Sequence, residues 1–146
     1  MKKVLILCTG NSCRSIMAEA MINQFLGDKW QAYSAGTQPS VVNPHALHVL
    51  QELGIDTDSL YSKSVTEFLK IDDLDLVITV CDNAKEACPI FLKPVKQIHI
   101  GIEDPAPYTN EPDDIALPIF RQTRTEIMNS IIANLDELVN QDSVIL

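Results

Sequence analysis

The chain has 146 residues, of which 46% are hydrophobic and 21% charged, a balance typical of a folded globular domain rather than a disordered chain. Its formal net charge is -9 at pH 7, which argues against broad electrostatic binding to nucleic acid or to anionic membranes. We therefore expect a single domain over residues 1–146, in which any bound anion is held by local groups acting against the net charge.

The apolar segments are short. None approaches the roughly 20 residues that a membrane-spanning helix needs. The opening run, MKKVLILC, is too short for the apolar part of a secretory signal, and polar residues follow it at once. We expect a cytoplasmic protein. In that reducing compartment, four cysteines indicate catalysis, metal binding or redox chemistry rather than structural disulfides.

The first half of the chain predicts two strand–helix pairs. A short apolar strand at 3–7 is followed by helical spacing over 15–26, and a strand at 31–34 is followed by a helix over about 43–53. Asn43 is a suitable N-cap for this second helix, and Pro44 suits its first turn.

The second half continues the alternation. Thr66 is a candidate cap for a short helix, and LDLVITV at 74–80 is a buried strand. A fourth strand at 95–100, a proline-rich loop at 103–114 and a long helix over 118–139 complete the chain. Apolar strands separated by helices predict a three-layer α/β fold, with a four-stranded parallel sheet and helices on both faces.

Three reactive side chains follow predicted strands. Cys8 ends the first strand, Cys81 comes directly after the third, and Asp104 comes shortly after the fourth. In open parallel sheets the ligand crevice lies outside the carboxyl ends of the strands. We therefore expect Cys8, Cys81 and Asp104 to converge on one edge of the sheet.

The segment CTGNSCRS, residues 8–15, joins the first strand to the first helix. Backbone N–H groups in such a turn, together with a helix N-terminus, bind tetrahedral oxyanions. Arg14 adds a planar fork of donors, and Cys8 would lie beneath the anion as a nucleophile. A cytosolic cysteine is more often a small buried hydrophobe, but its spacing from Arg14 and Ser15 favours function here.

A family resemblance supports this interpretation. CTGNSCRSIMAEA resembles the phosphate-binding loop of the low-molecular-weight protein tyrosine phosphatase fold, and EDP at 103–105 resembles its acid loop. The similarity extends through YSAG, NPHAL, DLVITVC and FRQTRTEI. It implies that Cys8 is the nucleophile, Arg14 the oxyanion clamp and Asp104 the general acid. The implied substrate-binding residues are Thr9, Gly10, Asn11, Ser12, Cys13, Arg14 and Ser15.

A second pair of cysteines, Cys81 and Cys88, stands in CDNAKEACP. A phosphatase needs neither, and the pair resembles that of the thioredoxin-coupled arsenate reductases, which share the phosphatase fold. The resemblance implies that Cys8 attacks arsenate, which phosphate mimics, and that Cys81 then attacks Cys8. Cys88 would attack Cys81 and form an outward disulfide that thioredoxin reduces. It also implies a monomeric enzyme of arsenic detoxification with residual phosphatase activity.

Other functions stay open from sequence. One alternative is a low-molecular-weight tyrosine phosphatase, another is an oxyanion-sensing or redox-responsive binding module, and a glutaredoxin-type donor is an alternative to thioredoxin. A zinc site at the cysteines is a minor alternative, and His45 with His48 gives only a weak metal signal, because no third ligand is near them in sequence. Cys13 has either a packing role or a sensitivity to oxidation that is incidental to catalysis.

The resemblance further implies an ion. Some relatives bind potassium beside the loop, and Asn11, Glu19 and Ser34 match such positions. Ser64 falls where those relatives have an aspartate. No other bound cofactor is expected.

Overall fold

The computed structural model describes residues 1–81 and 94–140. In these residues, the strands are β1 (Lys2–Cys8), β2 (Trp30–Gly36), β3 (Leu76–Thr79) and β4 (Gln97–His99). They form one sheet in the order β2-β1-β3-β4, and each neighbouring pair is parallel. The predicted four-stranded parallel sheet is confirmed.

The two central strands are the most deeply buried part of the chain. Every residue of β1 from Val4 to Leu7, and every one of β3 from Leu76 to Ile78, is fully buried. Because successive side chains of a strand point to opposite faces, both faces of the sheet are covered at this point. This burial explains why these strands read as continuous apolar runs rather than alternating ones.

Three helices of eight residues or more lie in the described part of the chain: α1 (Arg14–Phe25), α2 (Pro44–Gln51) and α3 (Asp113–Ser130). They pack against one another, and α1 also packs on β1 and β2. None of the described helices is long and apolar enough to cross a membrane. A 3₁₀ helix at Val65–Phe68 contacts β2, where the Phe68 ring packs on that of Tyr33.

Helix boundaries show which local signals were correct. The predicted cap of α2 is confirmed, because the Asn43 side chain accepts a hydrogen bond from the His45 N–H and Pro44 is in the first turn. The predicted cap of the short helix is wrong. Ser64 accepts from the Thr66 N–H and so caps the 3₁₀ helix two residues before Thr66 itself.

The long final helix also differs from the prediction. It begins at Asp113, five residues before Pro118, and ends at Ser130. Asp113 and Asp114 lie in its first turn, where negative charge interacts favourably with the helix dipole. Beyond it the chain continues as a 3₁₀ helix, Ile132–Asn134, and a one-turn helix, Leu135–Leu138.

The strand order places a crevice at the end of the sheet. The chain leaves β1 for β2 on one side, and later enters β3 on the other side of β1. The connections that follow β1 and β3 therefore diverge, which leaves a crevice outside the carboxyl ends of these strands. Cys8 ends β1 and Cys81 lies two residues after β3, so both reach this edge.

Candidate active site

The loop between β1 and α1 is tightly held. Asn11 adopts a left-handed backbone conformation, with φ of 49°, which asparagine tolerates better than most residues. The end of β2 approaches the loop so closely that a Cβ on Gly36 would lie 2.5 Å from the Thr9 carbonyl oxygen. Glycine at position 36 therefore permits the contact that fixes the loop against the sheet.

A cavity of about 350 Å³ opens above this loop. It brings together the three predicted catalytic residues that the phosphatase resemblance supplied, Cys8, Arg14 and Asp104. The other residues that line it are Thr9, Gly10, Ser12, Cys13 and Ala106. The remaining predicted substrate-binding residues, Asn11 and Ser15, are fully buried beneath the loop.

Two hydrogen bonds reach the Cys8 sulfur. The Asn11 backbone N–H donates to it at 3.2 Å, and the Ser15 Oγ lies 2.8 Å away. The Asn11 amide Nδ2 donates to the same Ser15 Oγ at 2.7 Å, so the Ser15 proton is left to donate to the sulfur. In both contacts the Cys8 sulfur is the hydrogen-bond acceptor. Two donors directed at one sulfur are suited to stabilising negative charge on it.

The Arg14 guanidinium lies at the other side of the cavity. Its Nη1 donates to the Ile102 carbonyl at 2.9 Å, and its Nη2 lies 3.6 Å from the Asp104 Oδ2. Its Nε is buried and has no hydrogen-bond partner among the described residues. Because an unpaired buried donor is costly, this N–H is a natural place for an oxyanion oxygen.

Asp104 is held from its own loop. Its Oδ1 accepts a hydrogen bond from the Ala106 N–H at 2.9 Å, while its side chain stays 46% exposed. The carboxylate thus lines the cavity and also reaches solvent, which is the access that a proton donor needs.

Asn43 connects this acid loop to the oxyanion loop. Its N–H donates to the Ser12 carbonyl at 2.9 Å, and its Nδ2 donates to the Thr109 Oγ1 at 2.9 Å. The Thr109 hydroxyl in turn donates to the Ala106 carbonyl. Sequence reasoning identified Asn43 only as a helix cap and missed this link, for which the local sequence carries no signal.

Cys81 lies beside the oxyanion loop. Its side chain is buried, and its Sγ is 3.2 Å from the Thr9 Oγ1. The Val80 N–H donates to the Leu7 carbonyl, so β3 still runs beside β1 at this point. Cys8 and Cys81 therefore lie at the carboxyl ends of neighbouring strands. Cys88 lies outside the described residues.

A second cluster lies behind the loop. The Asn11 Nδ2 donates to the Ser34 Oγ at 2.9 Å, and the Ser34 hydroxyl donates to the Glu19 Oε1 at 2.6 Å. The Lys63 Nζ lies 3.3 Å from the same Glu19 oxygen. Ser64, which falls where some relatives have an aspartate, directs its hydroxyl toward Thr66, and it is the Lys63 side chain that reaches this cluster.

The family of the chain follows from comparison with known proteins. Residues 3–144 match the model of the low molecular weight phosphotyrosine protein phosphatase family. The chain belongs to this family. The fold predicted from sequence is thereby confirmed.

Relatives within the family are arsenate reductases and phosphatases. An arsenate reductase of Halalkalibacterium halodurans is 40% identical over 126 residues, which are 86% of this chain and 89% of that protein. A solved arsenate reductase in a phosphate-bound state is 30% identical, with a TM-score of 0.67 over 96% of this chain and 98% of the other. A tyrosine phosphatase from T. tengcongensis is 27% identical, with a TM-score of 0.66 over 96% and 99%.

Cys13 differs from the other cysteine of this phosphatase-family loop. It is 2% exposed, and burial raises the pKa of its thiol to about 11, with the nearby Asp104 charge acting in the same direction. Its hydrogen bond to the Ser12 hydroxyl opposes this only in part. Cys13 is therefore a neutral thiol at physiological pH.

The histidines have structural contacts. His45 contacts the Thr109 carbonyl at 2.9 Å and packs on the Phe120 ring, and His48 lies 3.6 Å from Glu52. The His99 Nδ1 is 2.8 Å from the Thr79 Oγ1. Among residues 1–81 and 94–140, no three histidine, cysteine or acidic side chains are grouped so that they could hold a metal ion.

Proposed function

We propose that this chain reduces arsenate to arsenite. Cys8 is the nucleophile that attacks arsenic, and Cys81 is the second thiol, which forms a disulfide with Cys8. The observation that carries the proposal is the position of these two thiols at the ends of neighbouring strands, with the Thr9 hydroxyl 3.2 Å from the Cys81 sulfur. The relationship to arsenate reductases supports the same conclusion. A hydrolytic phosphatase has no need of a second thiol there.

The first step uses the features of the oxyanion cavity. Arsenate is a tetrahedral oxyanion, so its oxygens can be held by the loop N–H groups and by the buried Arg14 Nε. The Cys8 sulfur attacks arsenic and forms an As–S bond, and one arsenate oxygen leaves as water. Asp104 supplies a proton to that leaving oxygen, as a general acid. The Ser15 hydroxyl and the Asn11 backbone N–H both point at the Cys8 sulfur and can stabilise negative charge on it during the reaction.

The second step supplies the electrons. The Cys81 thiolate attacks the Cys8 sulfur, a Cys8–Cys81 disulfide forms, and the As–S bond breaks. The electron pair of that bond stays on arsenic, which becomes arsenite, while the two thiols are oxidised.

The final step returns Cys8 to its thiolate. Cys88 attacks Cys81, which transfers the disulfide to Cys81–Cys88, and thioredoxin then reduces it. We assign thioredoxin, rather than a glutaredoxin-type donor, because Cys81 and Cys88 resemble the cysteine pair of the thioredoxin-coupled arsenate reductases. A reducing cytoplasm is the compartment in which such a relay can operate.

The proposal is tested by NADPH consumption with arsenate, thioredoxin and thioredoxin reductase. Wild type should turn over, Cys8→Ser should be inactive, and Cys81→Ser and Cys88→Ser should each stop after at most one cycle. The control is Ser59→Ala, which alters an exposed serine outside the cavity. Sustained turnover by Cys88→Ser would show that the three-cysteine relay is wrong.

A second activity is favoured by the family and by the cavity. Cys8, Arg14 and Asp104 are the three groups that phosphate ester hydrolysis requires, and all line one cavity. We therefore expect slow hydrolysis of aryl phosphates that needs Cys8 but not Cys81 or Cys88. Fast hydrolysis, with no reduction of arsenate by the wild type, would favour a phosphatase. Binding of phosphate without either reaction would favour a sensing module.

A further inference from the structure

The cluster behind the oxyanion loop contains a buried ion pair. The side chains of Lys63 and Glu19 are 7% and 13% exposed, and their charged atoms lie 3.3 Å apart. The Lys63 Nζ also donates to the Tyr61 carbonyl at 2.8 Å and lies 4.5 Å from the centre of the Tyr61 ring. The ammonium is therefore held on several sides at once.

The donor atoms of this cluster do not fit a potassium ion. The Asn11 Oδ1 accepts a hydrogen bond from the Lys63 backbone N–H at 2.8 Å. This leaves the Asn11 Nδ2 to donate to Ser34 and Ser15. Reversing the amide would set its NH₂ against the Lys63 N–H, so this orientation is fixed. Glu19 already receives a hydroxyl proton and an ammonium on the same oxygen. Potassium requires oxygen ligands, and the lysine repels a second cation.

An unbroken series of contacts joins this ion pair to the nucleophile. The ammonium contacts Glu19, which accepts from Ser34, and Ser34 accepts from the Asn11 amide. The same amide donates to Ser15, whose hydroxyl lies 2.8 Å from the Cys8 sulfur. The Glu19 carboxylate thus fixes the direction in which Ser34 donates, and the Lys63 backbone N–H fixes the orientation of the Asn11 amide.

We propose that Lys63 is a built-in cation that replaces a potassium ion behind the oxyanion loop, and that the enzyme works independently of potassium. Lys63 is a positioning residue that holds the oxyanion site in its binding form through Glu19 and Asn11. A neutral side chain at 63 leaves the Glu19 carboxylate buried and uncompensated. That variant should acquire a response to potassium that the wild type lacks.

The test measures binding of inorganic phosphate by calorimetry and the melting temperature, in potassium chloride and in choline chloride of equal ionic strength. Neither readout depends on arsenate reduction, so the proposed function and this inference can fail separately. Wild type should give the same values in both salts. Lys63→Met should bind phosphate about tenfold more weakly in choline chloride, and potassium should restore at least a third of that loss.

Two further variants sharpen the test. Lys70→Met removes an exposed lysine and should behave as the wild type in both salts. Glu19→Gln combined with Lys63→Met removes both charges, so its melting temperature should exceed that of Lys63→Met and show no potassium effect. If Lys63→Met is unfolded in choline chloride, refolding by potassium supports the inference. A potassium effect on the wild type, or none on Lys63→Met, overturns it.

Discussion

The Ser15 Oγ lies 2.8 Å from the Cys8 Sγ, and the same oxygen accepts a hydrogen bond from the Asn11 amide Nδ2. Ser15 is fully buried, so water does not compete for its proton. The serine is consequently placed to donate a hydrogen bond to the Cys8 sulfur, and its orientation is set by Asn11, four positions earlier.

Removal of this donor should slow every reaction of Cys8. A hydrogen bond to a charged group is worth about 1.5–3 kcal/mol, so Ser15→Ala should lower the rate of Cys8 alkylation by iodoacetamide at pH 7 about ten- to a hundredfold. The turnover of arsenate should fall by a similar factor. Ser59→Ala, which alters an exposed serine, is the control. Unchanged alkylation in Ser15→Ala would show that the hydroxyl does not donate to the sulfur.

Asp104 should matter most for substrates with poor leaving groups. Since a general acid contributes about 10²–10⁴-fold, Asp104→Asn should reduce hydrolysis of phenyl phosphate by about that factor. The loss should be much smaller with para-nitrophenyl phosphate, whose leaving group departs without a proton. Glu103→Gln, at the neighbouring exposed carboxylate, should change neither rate. Equal losses on both substrates would assign Asp104 a role in binding rather than in proton transfer.

Local signals predicted the parts of the molecule that depend on neighbours in sequence. The apolar run of β1, the cap at Asn43 and the dense loop after Cys8 all belong to this class. The contacts of Asn43 with Thr109 join residues 66 positions apart, and the burial of Lys63 follows from its contact with Glu19 in α1. A lysine between two serines reads as a solvent-exposed residue, because nothing nearby in sequence shows the carboxylate that it neutralises.

The ion pairs that join α2 to α3 should give stability that depends on pH. Arg121 donates to Glu52 at 2.6 and 3.0 Å, and Arg124 donates at 2.9 Å. The Arg121 hydrogen bonds are the largest cause that lowers the pKa of Glu52 to about 2. Because the pKa of Glu52 is lowered in the folded state, its carboxylate stabilises the fold at pH values above the ordinary pKa of 4.5. This contribution is lost as the pH falls toward 2.

Glu52→Gln should accordingly lower the melting temperature at pH 7 by about 2–4 °C, the effect of about 1 kcal/mol expected for ion pairs at the surface. The difference from wild type should shrink as the pH falls from about 5 and vanish near pH 2. Glu111→Gln removes an exposed loop carboxylate and serves as the control. A difference that stays constant from pH 7 to pH 3 would show that packing, not charge, is lost.

Cys13 should be inert toward alkylation, unlike Cys8, which we propose as the nucleophile. Because burial raises the pKa of the Cys13 thiol to about 11, almost none of it is thiolate at pH 7, and only the thiolate is alkylated readily. Peptide mapping after brief treatment with iodoacetamide should therefore find Cys8 modified and Cys13 intact, and inorganic phosphate should protect Cys8.

The same raised pKa predicts a loss of stability at high pH. The folded state retains the Cys13 proton where the unfolded chain, with an ordinary value of 9.0, releases it, so stability should decline as the pH rises from about 9 toward 11. Cys13→Ala lacks this titration, and its melting temperature should approach that of the wild type over the same range. Equal alkylation of Cys13 and Cys8 at pH 7, or parallel melting curves to pH 11, would contradict a buried neutral thiol.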